Sequence, residues 1–426
     1  MRKTFFLLIF LAACGRGRSQ IISTDSRTPA EQKIAWAKAE VTAHPEEPQP
    51  YNDLAAALVG RARETGDPGY YDQADAALQH SLGKDPHNFE GLKAKAMILL
   101  GRREFKQAIE LTRKLNAEVP DDVLTYGLLA DGLIETGAYQ EAVDKTQWML
   151  NLRSGNVPGL LRAARLRWIY GDGDGALDFY TKAYQETSPT QTEDQAWILT
   201  QMAEIQIALD HFDIADQLLH SALIAFPDYS LSLESSARLE TARQHYAQAV
   251  ALLRQRNKSF PTLESRYELA NALERAGETA EAKRAYAEFE NQALRLSDTA
   301  NNANRDLILY YLSNANRPAD ALRIAAGEAR KRQDIATLDA YAWALCANGQ
   351  YGEAEKQMKA ALTTGIRDAE ILYHAGVIAE KRHDNSAAAS YLKSSLELNP
   401  ASEVSQEARR ALDMAMAAPV AAAAAN

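Results

Sequence analysis

The sequence predicts an all-α solenoid of stacked helix pairs, and three observations predict it. An alanine recurs at Ala74, Ala108, Ala142, Ala176, Ala215, Ala249, Ala282, Ala321, Ala354 and Ala388, at spacings of 34, 34, 34, 39, 34, 33, 39, 33 and 34. A second small residue lies about twelve positions before most of them: Ala96, Ala130, Ala164, Ala203, Ala237, Ala270, Ala342 and Gly376. A proline often closes the unit, at Pro86, Pro120, Pro227, Pro261 and Pro400. A single globular core has no reason to repeat on that beat. Stacked helix pairs do, because each pair presents the same contact to its neighbour.

The chain opens on Met1-Arg2-Lys3, an apolar run over residues 4–11, and Leu11-Ala12-Ala13-Cys14. The run is far short of the ~20 residues that span a bilayer. It fits a secretory leader, residues 1–13, with small residues before a cleavage point. The Leu-Ala-Ala-Cys run resembles the bacterial lipoprotein box, which implies cleavage before Cys14 and acylation of its thiol. Residues 14–28 then read as a polar tether. Gly15 follows the cysteine where aspartate would favour inner-membrane retention, so the resemblance implies an outer-membrane anchor facing the periplasm.

A lone helix before Pro45 reads as an N-terminal cap over residues 29–48. The repeat array follows over residues 49–400. Within most units an apolar residue precedes the first small residue by three or four places, as with Leu92, Tyr126, Leu160, Leu199 and Leu372, while the eighth unit, around Pro318-Ala319-Asp320-Ala321, is poorly matched upstream. That spacing is one helix face. Glycine then ends the first helix, as in Thr136-Gly137-Ala138-Tyr139 and Asn348-Gly349-Gln350-Tyr351. An aromatic often follows: Tyr71, Phe105, Tyr139, Phe212, Tyr246, Tyr351. The alanine begins the second helix, and proline stops it.

This order of apolar, small, aromatic, alanine and proline residues resembles the tetratricopeptide repeat (TPR) family. About ten units are in phase. The resemblance implies a right-handed α-solenoid of tandem TPR helix pairs with capping helices. Gly173 stands where the fourth unit would carry its aromatic, and Ser154 where the third would carry its proline. Irregularities are expected near 64–69, 187–193 and 296–304. The first should lengthen an inter-helix turn, and the other two the connections between repeats. Residues 401–416 read as a C-terminal capping helix, and 417–426 as a disordered alanine-rich tail.

The 426 residues carry a formal charge of −10, and loss of Arg2 and Lys3 with the leader makes it −12. Nucleic-acid binding needs a basic footprint, so it is not expected. With Cys14 acylated, Cys346 has no partner and reads as a buried small hydrophobe.

Motifs for catalysis are absent: no phosphate-binding glycine loop, no H-E-x-x-H and no G-x-S-x-G. Gly171-Asp172-Gly173-Asp174-Gly175 starts like a calcium loop, but its oxygen ligands stop at Ala176, and it reads as a turn. His211 and His220 have no companion at ligand spacing. No cofactor, no metal and no enzyme activity are expected, and no segment is left over for a catalytic domain.

The TPR resemblance implies that first helices line a concave groove that holds an extended peptide or a helix. The position expected to point inward reads Met97, Asp131, Arg165, Glu204, Arg238, Asn271, Tyr310, Trp343 and Val377. Asp131, Arg165, Glu204 and Arg238 alternate in charge. They suit either a ladder of ion pairs between repeats or a polar track for a peptide. Tyr267, Tyr310, Trp343 and Tyr373 suit either helix packing or aromatic anchoring of a ligand. Lys93 and Asn271 are too many repeats apart to form a carboxylate clamp. The expected function is a non-catalytic scaffold or adaptor that binds protein partners in assembly, secretion or polymer export. A periplasmic chaperone or pilotin-like escort for one client is the alternative.

Overall fold

The structure is a computed structural model. It describes residues 27–258, 261–298, 303–400 and 404–424, with side chains as far as 416. The leader, Cys14 and the tether before residue 27 lie outside the described residues. Among those described every regular element is a helix, and no helix is long and apolar enough to cross a membrane.

The chain begins with α1 (Pro29–Ala43). Successive helices then pair as antiparallel neighbours: α2 (Pro48–Thr65) with α3 (Gly69–Lys84), α4 (Phe89–Gly101) with α5 (Phe105–Glu118), and α6 (Val123–Thr136) with α7 (Tyr139–Leu152). The next pairs are α8 (Val157–Ile169) with α9 (Gly173–Glu186), α10 (Thr192–Ala208) with α11 (Phe212–Ala225), and α12 (Ser230–Ala242) with α13 (Tyr246–Asn257). Then come α14 (Leu263–Arg275) with α15 (Thr279–Leu296), α16 (Ala303–Ser313) with α17 (Pro318–Ala329), α18 (Ile335–Ala347) with α19 (Tyr351–Ala361), and α20 (Ala369–Lys381) with α21 (Asn385–Leu398). The last helix is α22 (Ser405–Ala424), packed on α20 and α21. Its backbone stays helical past residue 416, through part of the segment expected to be a disordered tail. Alanine has the highest intrinsic helix propensity, which favours that extension.

The periodic residues explain the pairing. All ten alanines of the series are at most 1% exposed. Their methyls sit where two helices cross, and a small side chain lets the axes approach to ~8–10 Å. Gly376 is tighter still, since a Cβ there would lie 2.5 Å from Leu392 Cγ. First helices start on side-chain caps: Asn88, Asp122, Asn156, Thr262, Asp334 and Asp368 each accept an N–H from their own first turn. At the intervening turns glycine takes the left-handed conformation at Gly66, Gly137, Gly171, Gly277 and Gly349. Elsewhere the same conformation falls to Arg103, Asp210, Gln244 and His383, where no glycine is present.

The three expected irregularities are resolved largely inside helices. The extra residues near 64–69 lengthen α2 to 18 residues and leave a three-residue turn. Those near 187–193 and 296–304 go mainly into α10, with 17 residues, and α15, with 18. Extending a helix satisfies each added backbone group, whereas a longer loop would leave them to solvent.

First helices pack on one another from pair to pair, as α2 on α4, α4 on α6, α6 on α8, α16 on α18 and α18 on α20. Among the described residues no two second helices pack comparably. The first helices therefore form the inner, concave side of the coil.

The coil winds far enough for early and late pairs to meet. The ends of α2, α4, α6 and α8 lie against the starts of α10, α14, α18 and α20. Arg63 in the last turn of α2 pairs with Glu193 at 2.6 Å and Asp194 at 3.1 Å, both in the first turn of α10. Arg103 pairs with Glu264 of α14 at 3.3 Å. The Gln333 N–H donates to the Thr136 carbonyl at 3.3 Å, and the Ile335 N–H to the Tyr139 hydroxyl at 2.9 Å. At Gly137 a Cβ would stand 2.4 Å from the Gln333 carbonyl, and at Gly171 2.3 Å from that of Gly365. This seam joins elements more than a hundred residues apart. Each partly exposed ion pair contributes ~0.2–1 kcal/mol, and each backbone hydrogen bond ~0.5–1.5 kcal/mol.

Candidate protein-binding groove

Asp131 (α6), Arg165 (α8), Glu204 (α10) and Arg238 (α12) lie on first helices, as expected, and their charges are paired with neighbours. Arg162 bonds Asp131, and Arg165 bonds Glu135 one helix pair back. Arg238 reaches three carboxylates on three helices: Glu204 at 3.1 Å, Glu268 at 2.7 Å and Glu234 at 2.8 Å. Burial opposes the Arg238 charge, but Glu268, Glu204 and Glu234 outweigh it and raise its pKa well above the usual value. Burial likewise works to raise the Glu135 carboxyl, yet Arg165, with Arg332 and Arg103 beyond, holds it below the usual range. Ion pairs therefore form a broken ladder along the concave side, joining α6 to α8 and α10 to α12 and α14. Arg238 keeps 44% of its side chain accessible.

Toward the C-terminal end the ladder turns aromatic and acidic. Arg305 pairs with Glu370 at 3.2 Å. Trp343 stacks on His374, with ring centroids 4.2 Å apart, and Tyr373 tilts against both rings. His374 Nδ1 lies 2.8 Å from Asp339 Oδ1, and both side chains are buried. The four expected aromatics fall into two groups. Trp343 and Tyr373 are half-buried on neighbouring helices. Tyr310 stacks on Tyr286 at 5.0 Å. Tyr267 is only 9% exposed and packs on Phe289 at 5.2 Å, so it belongs to the core rather than the groove wall. Its ring is large enough to fill the gap between α14 and α15, and filling that gap removes apolar area from water. Asn271 accepts the Tyr286 hydroxyl at 2.6 Å and is engaged in packing.

The sequence reading did not single out Glu135, Glu234, Glu268, Asp306, Asp339 or His374. Each lies one turn from the inward position on its helix. The neighbouring turns of each first helix would have revealed them, since residues three and four apart share a face.

Asp306, on α16, is pushed up to about 7 by burial, with Arg305 opposing and Glu264 adding to the rise. An acid raised in the folded chain costs stability when ionised. That cost is full above pH ~7 and falls away as pH drops toward the ordinary Asp range. Asp306→Asn is therefore expected to raise the melting temperature at pH 8, with the gain shrinking toward pH 4. Thermal melts of both proteins across that range check it.

Among the described residues no group of three or more His, Cys, Asp and Glu side chains could hold a metal ion. The Gly171–Gly175 segment is an inter-helix turn, in which Asp172 caps α9 by accepting the Gly175 N–H at 2.8 Å. Cys346 is buried, and burial pushes its thiol up to about 11, far from a reactive thiolate. Lys93 is also buried and is held by Glu90 at 3.0 Å and Asp122 at 3.1 Å.

No family model matches this chain, and no curated protein matches it in sequence. Solved structures do show likeness. A chain of the APC/C hetero-tetramer Cut9–Hcn1 is 14% identical over 90% of this chain, at a TM-score of 0.45. The present chain covers 58% of that one. A monomeric IFIT1 mutant with Gppp-AAAA is 18% identical, covering 78% of this chain and 75% of that one, at 0.49. A thermophilic TPR protein of Thermus thermophilus, TTC0263, is 20% identical, covering 45% of this chain and 98% of its own, at 0.40. At these scores the likeness carries no argument about function. The conclusion the residues themselves support is an all-α, solenoid-like stack of helix pairs with a charged and aromatic concave side.

Proposed function

We propose that this protein is a non-catalytic, protein-binding scaffold or adaptor at a bacterial cell envelope. In this reading α2–α21 are ten TPR units in a right-handed solenoid, α1 and α22 are its caps, and acylated Cys14 is its anchor. The observation that carries the binding role is the concave side. Successive first helices present a continuous strip of half-exposed charged and aromatic side chains, from Asp131 on α6 to Tyr373 on α20. An extended peptide or a single helix fits such a strip, because aromatics bury much area with few rotors. Charged ladder members such as Arg238 add register. Two acyl chains would make anchoring stable, and the anchor would raise the local concentration of any partner at the membrane.

Photoreactive residues at Trp343 and Tyr310 test the groove, with a convex exposed position, Ile224, as control. Crosslinking in cells is expected to trap the same protein from both groove sites and not from the control. Equal yields from groove and control would remove the binding role. Palmitate labelling of Cys14→Ser tests the anchor, and unchanged labelling would remove it.

A further inference from the structure

We propose that the seam is a latch: the coil closes on itself along complementary helix ends and opens along them, switching sideways access to the concave side. This rests on the protein-binding reading of that side.

The seam has the chemistry of a built joint. On one lip are the carboxyl ends of α2, α4, α6 and α8, and on the other the amino ends of α10, α14, α18 and α20. Helix ends carry opposite partial charges, so the lips attract. The side chains follow the same logic. Arg63 sits in the last turn of α2 and Arg103 just beyond the end of α4, where cations belong. Glu193, Asp194 and Glu264 sit in first turns, where anions belong. Each charge therefore suits its own helix and also its partner across the seam. Further along the polarity is reversed, with Arg332 approaching Glu135 in the last turn of α6 at 3.9 Å, and the Thr136 and Tyr139 contacts to Gln333 and Ile335 complete the joint.

The latch is polar along α2 and α4, whereas at α6 and α8 Tyr139 and Ile169 also pack on the apolar cluster of α18–α20. Neighbouring pairs are held by buried alanines, leucines and aromatics, which do not part without unfolding. The α2 and α4 half of the seam is held by partly exposed ion pairs, which salt weakens. It is the joint that opens before any repeat unfolds. Away from the seam, helix pairs in such arrays touch only their neighbours, so a small change of twist at each pair separates the lips.

The test uses the full chain and small-angle X-ray scattering. Arg63→Glu with Arg103→Glu is expected to increase the radius of gyration while leaving the far-UV circular dichroism unchanged. Adding Glu193→Arg, Asp194→Arg and Glu264→Arg is expected to restore the compact form. Scattering identical to wild type in the two-site variant would overturn the latch. A second variant, the cysteine pair Thr136→Cys with Gln333→Cys, guards against a variant that merely misfolds. Oxidised, it should stay compact at both about 50 mM and about 500 mM NaCl, and reduced, it should expand at the higher salt. Equal scattering in all four conditions would also sink the proposal. Access is read at Arg238→Cys with a polyethylene-glycol maleimide, above the labelling of the unsubstituted chain. The rate should rise several-fold when the charge-reversed seam is added, and an unchanged rate in an expanded chain would rule out the switching role. Neither readout involves a partner, so failure of the latch and failure of the binding reading are separable.

Discussion

Replacing Asp339 by alanine is expected to destabilise the protein by about 3–5 kcal/mol, the range for removing one member of a buried charged pair. Asp339 is 1% exposed and lies 2.8 Å from His374 Nδ1, which is itself 3% exposed beneath Trp343. Burial works against charge on His374, but the Asp339 carboxylate and its hydrogen bond, with Glu370 beyond, more than offset it and raise the imidazole pKa. A histidine raised in the folded chain binds its proton more tightly there than in the unfolded chain. The stabilisation is therefore complete below pH ~6.5, the unfolded value. It is lost as pH rises through the raised folded value. The gap between wild type and Asp339→Ala should be widest near pH 5.5 and narrow by pH 8.5. Asp339→Asn keeps an acceptor for the ring and should cost less, while removing most of the pH dependence. Urea unfolding at the two pH values measures all of this. A pH-independent gap would show that the pair is held neutral.

Phe289→Ala is expected to cost about 3–5 kcal/mol as well, by a different route. Phe289 is fully buried on α15, with Tyr267 at 5.2 Å and Tyr310 at 6.4 Å. It lies in the apolar cluster that, among the described residues, spans elements from Ala237 to Ala344. Truncation removes a ring that no neighbour can replace, because α15 is fixed on both sides by α14 and α16. Its effect should not depend on pH. Calorimetry should show a lowered transition for the segment α12–α18, with other pairs less affected, because an array transmits damage chiefly to neighbours. A loss below about 1 kcal/mol would mean that the cluster collapses to refill the site.

Much of the fold was legible along the chain because its causes are local. The buried alanines lie on one period, and a period needs no tertiary information to be read. The turn at Gly171–Gly175 and the buried state of Cys346 followed from the same bookkeeping. The added residues were misplaced for a physical reason. Near 64–69 glycine and proline signal a break, yet the polar residues before them continue α2 at no loss of backbone hydrogen bonds. The groove was legible in part. Position along the helix was enough to place Asp131, Arg165, Glu204 and Arg238 on first helices. Partners such as Glu135, Glu268 and Glu234 come from other turns and other repeats, and their choice depends on how far apart the helices stand. Tyr267 was left open between packing and groove because its helix face borders both, and only packing decides which side a ring takes.

The sequence by itself determined the helix pairs, their number of residues per step and the small residues at their crossings. All of these arise from side-chain size and period within one unit and its neighbour. Only the tertiary structure decided the seam that brings Arg63 to Glu193 and Gly137 to Gln333. Such contacts depend on small rotations summed over four to six helix pairs, which no short stretch of sequence encodes.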